Sequence, residues 1–133
     1  MKLLIALTAT LLPFVGEGLV DNQNILDAIR MVECGDVDNP PDGDGGRAIG
    51  PYQIHEAYFI DSRIKGDYQQ CRDRAFAERV VEAYMKRWCS ESWASGEAEV
   101  IARIHNGGPR AMSSKRKRYT DGYWAKVKKE LER

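Results

Sequence analysis

Cysteine and histidine are scarce in this sequence: it has three cysteines, Cys34, Cys71 and Cys89, and two histidines, His55 and His105. No Cys and His pair has zinc-finger spacing, so no metal site is expected. An odd number of cysteines leaves at least one outside any intramolecular disulfide. Cys71 and Cys89 bracket a predicted helix. If that helix is unbroken, their separation of 18 residues at ~1.5 Å each puts the Cα atoms roughly 27 Å apart, beyond the ~7 Å reach of a bridge. Any disulfide is therefore expected to involve Cys34. Long apolar runs are also lacking. The leader MKLLIALTATLLPFVGEG has one lysine, an apolar run from Leu3 to Leu12, and the small residues Gly16 and Gly18. That run is shorter than the roughly 20 residues that span a bilayer, so it reads as a secretory signal over residues 1–18 rather than an anchor. A secreted chain from Leu19, without membrane insertion, is expected. No internal repeat or low-complexity tract is present.

What remains is ordinary globular composition, 43% hydrophobic and 30% charged, enough for one domain over residues 19–133. Apolar spacing predicts a first helix from Asp21 or Asn22 to Cys34, and a central buried helix from Arg72 to Trp88 carrying Phe76, Ala77, Val80, Val81, Tyr84 and Trp88. A further helix is predicted from Glu97 to His105, stopped by Asn106-Gly107-Gly108-Pro109. The last helix, capped by Thr120 or Asp121, carries Trp124, Val127 and Leu131. Arg47 to Ile54, bounded by glycines, reads as a short strand or hairpin arm, with Pro51 confining it to an edge or bend. A short helical turn follows from His55 to Asp61. The sum is an α+β domain, predominantly helical with a small β element.

The stretch from Ile25 to Ile54 holds the chemistry. Ile25, Leu26, Ile29 and Val32 fall at helical spacing, and at about 100° per residue Glu33 lands within their stripe. Gly35 can end the helix in a left-handed conformation, which puts Glu33 in the last turn. Apolar surroundings and the negative end of a helix dipole both disfavour a charged carboxylate. After it comes an acidic, glycine-rich loop, Gly35 to Gly46, stiffened by Pro40 and Pro41. Its aspartates do not follow the Asp-x-Asp-x-Asp-Gly pattern of a calcium loop.

Three motifs, Val32-Glu33-Cys34-Gly35, Gly50-Pro51-Tyr52-Gln53-Ile54 and Arg103-Ile104-His105-Asn106-Gly107-Gly108-Pro109, together resemble the lysozyme superfamily, most closely the invertebrate-type lysozymes. Glu56-Ala57-Tyr58 with Asp61, Tyr84-Met85-Lys86-Arg87 and Tyr123-Trp124 extend the likeness over most of the chain after the leader. Cys34 stands where that family commonly has serine, and the family's many disulfide cysteines are absent, so the chain resembles a divergent, cysteine-poor member. The resemblance implies a lysozyme-like domain with a hairpin beside an active-site cleft, and a muramidase that cuts the β-1,4 bond between N-acetylmuramic acid and N-acetylglucosamine in peptidoglycan. Glu33 is then the general acid. The second carboxylate is Asp44, eleven residues on, or Asp42 if the loop carries a small gap. Tyr52, Gln53, His105, Asn106 and Gly107 are candidates for sugar contacts. No cofactor and no nucleic-acid partner are implied, and a monomer is expected.

The formal charge is zero but unevenly placed: Leu19 to Asp61 has nine acids against two bases, and Ser62 to Arg133 ten against seventeen. A basic lobe, with the run Lys115 to Arg118, suits an anionic polymer. Two other functions compete with the enzyme. A lysozyme-like binding protein would hold cell-wall sugars without cutting them, and retention of Glu33 with a loop aspartate favours the enzyme. An isopeptidase would need a serine activated by His105 or His55, and no spacing identifies one.

Overall fold

The computed structural model describes residues 21–133; the predicted signal over residues 1–18 lies outside the described residues. The order is α1 (Gln23–Cys34), β1 (Ala48–Ile49), β2 (Ile54–His55), α2 (Glu56–Ser62), α3 (Arg74–Trp88), α4 (Ser90–Ser95), α5 (Ala98–Gly107) and α6 (Asp121–Leu131). Short 3₁₀ turns lie at Asp44–Gly46, Tyr68–Arg72 and Lys117–Thr120. This is the expected α+β arrangement, predominantly helical with one antiparallel hairpin.

Helix α1 starts where two cap candidates were expected, and they divide the work. Asp21 Oδ1 accepts from the Gln23 amide at 2.9 Å, as a capping carboxylate does. Asn22 instead sends its side-chain amide to the Trp93 carbonyl at 2.7 Å, tying α1 to α4. The apolar face of α1 buries Ile25, Leu26, Ala28 and Ile29 and packs along α6 and α5. Helix α3 begins at Arg74 rather than Arg72, because Asp73 accepts from the Phe76 amide at 2.9 Å and closes the free end there. Its inner face, Ala77, Val80, Val81 and Met85, has no solvent exposure. These residues meet Ile29, Ile49, Ile54, Ile101 and Val127 in one core. A large aliphatic side chain buried in this way contributes about 1.5–3 kcal/mol.

The hairpin is only two residues per strand, pairing Ala48 with His55 and Ile49 with Ile54. So short a ribbon is not stable by itself. Its open end is held by the 68–72 turn: the Tyr68 hydroxyl shares its one proton between the Ile54 carbonyl at 2.7 Å and the Arg47 carbonyl at 3.2 Å. Gly50 (φ +74°) sits so close to the 68–72 turn that a Cβ would run into the Cys71 carbonyl oxygen, a position that admits no side chain.

Arg103 is buried on α5 and gathers the chain before α6. Its guanidinium donates to the Lys117 carbonyl (2.8 Å), Thr120 Oγ1 (2.9 Å), Asp121 (2.7 Å) and Glu99 (3.0 Å). Thr120, one of the expected caps of the last helix, is thereby engaged with Arg103 and the Lys117 carbonyl and makes no cap bond. All three cysteines are free. Among the described residues no helix is long and apolar enough to cross a membrane.

Candidate active site

The last turn of α1, the 44–47 turn, the hairpin, α2 and the end of α5 converge on a cleft of about 250 Å³. It is lined by Glu33, Asp44, Ala48, Gln53, His55, Tyr58, His105 and Asn106.

Glu33 enters from α1 with a side chain 19% exposed. Its Oε1 accepts a hydrogen bond from the Tyr123 hydroxyl on α6 at 2.8 Å and lies 3.5 Å from His105 Nε2. Among the described residues Oε2 has no protein donor, so one oxygen is fixed and the other is available to the cleft. Burial, then the charge of Glu33 and the hydrogen bond to it, raise the Tyr123 pKa well above the ordinary phenol range, so Tyr123 remains a donor.

His105 is itself locked. Its Nε2 is 3.1 Å from the Tyr52 carbonyl, which can only accept, so Nε2 carries the ring hydrogen. Nδ1 then accepts from the Tyr58 hydroxyl at 3.0 Å, and this pattern defines the tautomer. Tyr58 stacks on Tyr84 with ring centroids 3.7 Å apart, and burial raises its pKa well above the usual range. The chain Tyr84, Tyr58, His105 forms a stiff wall behind Glu33.

Asp44 faces Glu33's cleft from the glycine-rich turn, with φ +49°. Arg47 Nη2 binds its Oδ1 at 3.0 Å, and His55 Nε2 lies 3.2 Å from its Oδ2. Asp42 is turned elsewhere. Its carboxylate forms a two-point pair with Arg72, Oδ2 to Nη2 at 3.0 Å, and the Arg72 hydrogen bond holds its pKa below the usual carboxylate range. It borders a neighbouring groove of about 330 Å³ with Val37, Pro40 and Pro41. That groove shares Glu33 and Gln53 with the cleft.

The expected sugar-contact residues separate into three groups. Gln53 and Asn106 line the cleft, as does His105, whose side chain is only 3% exposed. Tyr52 does not present its side chain there: it is wholly buried, and its hydroxyl donates to the partly buried Glu78 on α3 at 2.8 Å. Its tie to the cleft is its carbonyl, the acceptor for His105. Gly107 is a packing residue, since a Cβ would fall 2.7 Å from Thr120 Cγ2 and 3.0 Å from Ala111 Cβ. The sequence points to Tyr58 and Tyr123 only as parts of the family likeness and to His55 only as a candidate base for an isopeptidase, and assigns none of them a part in holding the two carboxylates. Tyr123 lies one helical turn before Val127, which puts it on the inward face of α6, and that spacing was the available signal.

Cys34, next to Glu33, has its Sγ 3.3 Å from the Pro51 carbonyl and 3.4 Å from that of Gly35. Burial pushes its thiol pKa up, opposite to a reactive thiolate. Among the described residues no group of three His, Cys, Asp or Glu side chains is arranged to hold a metal ion. The run Lys115 to Arg118 is exposed, with Lys117 3.8 Å from Glu99.

The Destabilase family model matches residues 23–130. Lysozyme 1 of Crassostrea virginica is 44% identical over 82 residues, a stretch covering 60% of this chain and 43% of that protein. The match thus spans less than half of that relative. Invertebrate-type lysozyme 6 of Caenorhabditis elegans is 30% identical over 96 residues, covering 63% of this chain and 67% of the relative. Among solved structures, the Meretrix lusoria lysozyme in complex with Aeromonas hydrophila PliI superposes with a TM-score of 0.64 at 32% identity, over 80% of this chain and 88% of that one. With a family match reaching from the start of α1 almost to the end of α6, the chain belongs to the Destabilase family and stands among the invertebrate-type lysozymes.

Proposed function

We propose that the protein is a muramidase that hydrolyses the β-1,4 bond between N-acetylmuramic acid and N-acetylglucosamine in bacterial peptidoglycan. The observation that carries this reading is the pair of carboxylates brought to one cleft from separate elements: Glu33 from a helix end, and Asp44 from the turn before the hairpin. Glycosidases place such a pair across the scissile bond. Glu33 Oε2 delivers a proton to the glycosidic oxygen, and Tyr123 steadies the charge left on the carboxyl through Oε1. Asp44 faces the positive charge that builds at the anomeric carbon. The spacing of the two carboxyls determines whether it attacks that carbon or activates a water. Gln53 and Asn106 supply amide groups to sugar hydroxyl and acetamido groups.

Secretion and an antibacterial or digestive role follow from the predicted leader and the substrate, and are part of this proposal. A non-catalytic wall-binding protein is the competing reading. It has no use for a carboxyl held on one oxygen and open on the other. No serine lines the cleft, which removes the support for an isopeptidase.

The test is loss of turbidity of a bacterial cell-wall suspension, with wild type and Glu33→Gln at equal concentration. Clearing by the wild type and not by the variant supports the enzyme. Sedimentation with the walls by both, with clearing by neither, supports the binder.

A further inference from the structure

The geometry points to His55 as a positioning residue that fixes the Asp44 carboxylate for the reaction; the inference rests on the muramidase reading above. Asp44 lies on a turn with glycine at 43, 45 and 46, so little in the local backbone orients its side chain. Its two oxygens are instead oriented from two directions. Arg47 reaches Oδ1 from within the turn, at 3.0 Å, and also donates through Nε to the Asp44 carbonyl at 3.0 Å. His55 reaches Oδ2 from β2, at 3.2 Å. The hairpin sets this second contact, because His55 is the strand partner of Ala48, the residue after Arg47.

Other groups around His55 leave this pairing free to form. Across the cleft, His105 has both ring nitrogens occupied, by Tyr52 and Tyr58, and Glu33 is held by Tyr123. On its outer side His55 borders a depression of about 360 Å³ with Gly46, Arg47, Glu56, Ala57 and Tyr68. There the Tyr68 hydroxyl is committed to the carbonyls of Ile54 and Arg47. Glu56 opens α2 at its N-terminal end, where the helix dipole accommodates its charge. Of the two histidines lining the cleft, His55 is therefore the one that serves Asp44.

The chemical consequence is orientation, with no proton passed. A carboxylate held on both oxygens need not reorganise as positive charge develops at the anomeric carbon, whereas one held on a single oxygen rotates among poses that face the sugar poorly. Binding of the ground-state sugar is little affected, so the effect belongs to kcat rather than KM.

Four proteins compared on peptidoglycan test this: wild type, His55→Ala, His55→Gln and the double variant His55→Ala with Asp44→Asn. His55→Ala is expected to lower kcat about threefold with KM nearly unchanged, the scale of one half-exposed ionic contact. His55→Gln, whose amide N–H falls near the place of Nε2, should recover most of that loss. In the Asp44→Asn background the alanine change should add no further loss. Ring ¹⁵N shifts read the contact without activity: the His55 signals are expected to move on Asp44→Asn at unchanged melting temperature. An active wild type with a fully active His55→Ala variant overturns the inference alone, as do undiminished losses in the Asp44→Asn background or ring signals indifferent to Asp44. A wild type that releases no reducing ends overturns both this role and the muramidase reading.

Discussion

Changing Tyr123 to Phe removes one oxygen atom and keeps the ring, so it isolates the hydrogen bond to Glu33. The Tyr123 hydroxyl donates to Glu33 Oε1 at 2.8 Å, and its raised pKa, caused first by burial, keeps the proton on it. While Glu33 is a neutral acid that bond is worth about 1 kcal/mol; as the carboxyl gives up its proton and becomes charged, the same bond strengthens to about 1.5–3 kcal/mol. Only the difference acts on the rate. A difference of about 0.5–2 kcal/mol slows kcat about twofold to thirtyfold. Tyr123 is not among the residues that line the cleft, so KM should hold, and with the ring still packed the protein should lose only about 1 kcal/mol of stability. Reducing-end release from peptidoglycan, measured over a range of substrate concentrations with melting temperatures alongside, gives all three quantities. Wild-type kcat in the variant, or a change confined to KM, would refute this account of how Glu33 is held.

Asp44→Asn should lower the rate at least a hundredfold, the scale on which a positioned carboxylate contributes, whereas Asp42→Asn should leave it within a few-fold because Asp42 faces Arg72 outside the cleft; steady-state rates of the two variants decide it, and a more damaging Asp42→Asn moves the assignment two residues back. For Glu78, burial opposes ionisation, but the hydrogen bonds from Arg74, Tyr52 and Gln23 outweigh it and the pKa is lowered from 4.5. Its stabilising effect is present above about pH 4.5 and is lost as pH falls through the lower folded-state value, so the melting temperature should drop on acidification below that point and Glu78→Gln should flatten the drop; parallel curves for both proteins would contradict it. Cys71 is fully buried with its thiol pushed up to about 11, so it should react with a thiol reagent only on unfolding, and the melting temperature should be the same with and without reductant; a fall with reductant would reveal a disulfide.

The parts of the fold legible in the sequence were those set by local periodicity and punctuation. The stripe of Ile25, Leu26 and Ile29 and the glycine at 35 gave α1 and put Glu33 in its last turn. The glycines around Asp44 marked a tight turn before the hairpin. The short α4 was not legible, since Ser90–Ser95 is a single helical turn and a half with no apolar repeat. At the site, the missed residues are those whose partners are distant in sequence. Tyr123 meets Glu33 across 90 positions, and Tyr58 meets His105 across 47. Tyr52 shows the opposite error. Its place in the Gly-Pro-Tyr-Gln-Ile motif suggested a sugar contact, yet the hairpin's turn drives its ring into the core, and only Glu78 on α3 explains where its hydroxyl goes.

The most direct measurement is mass spectrometry of the soluble fragments released from purified peptidoglycan by the wild type and by Glu33→Gln, with the new reducing terminus identified after borohydride reduction. Muropeptides ending in reduced N-acetylmuramic acid are expected from the wild type, at a rate reduced at least a hundredfold in Glu33→Gln. Fragments ending in reduced N-acetylglucosamine, or equal release by the two proteins, would contradict the muramidase reading.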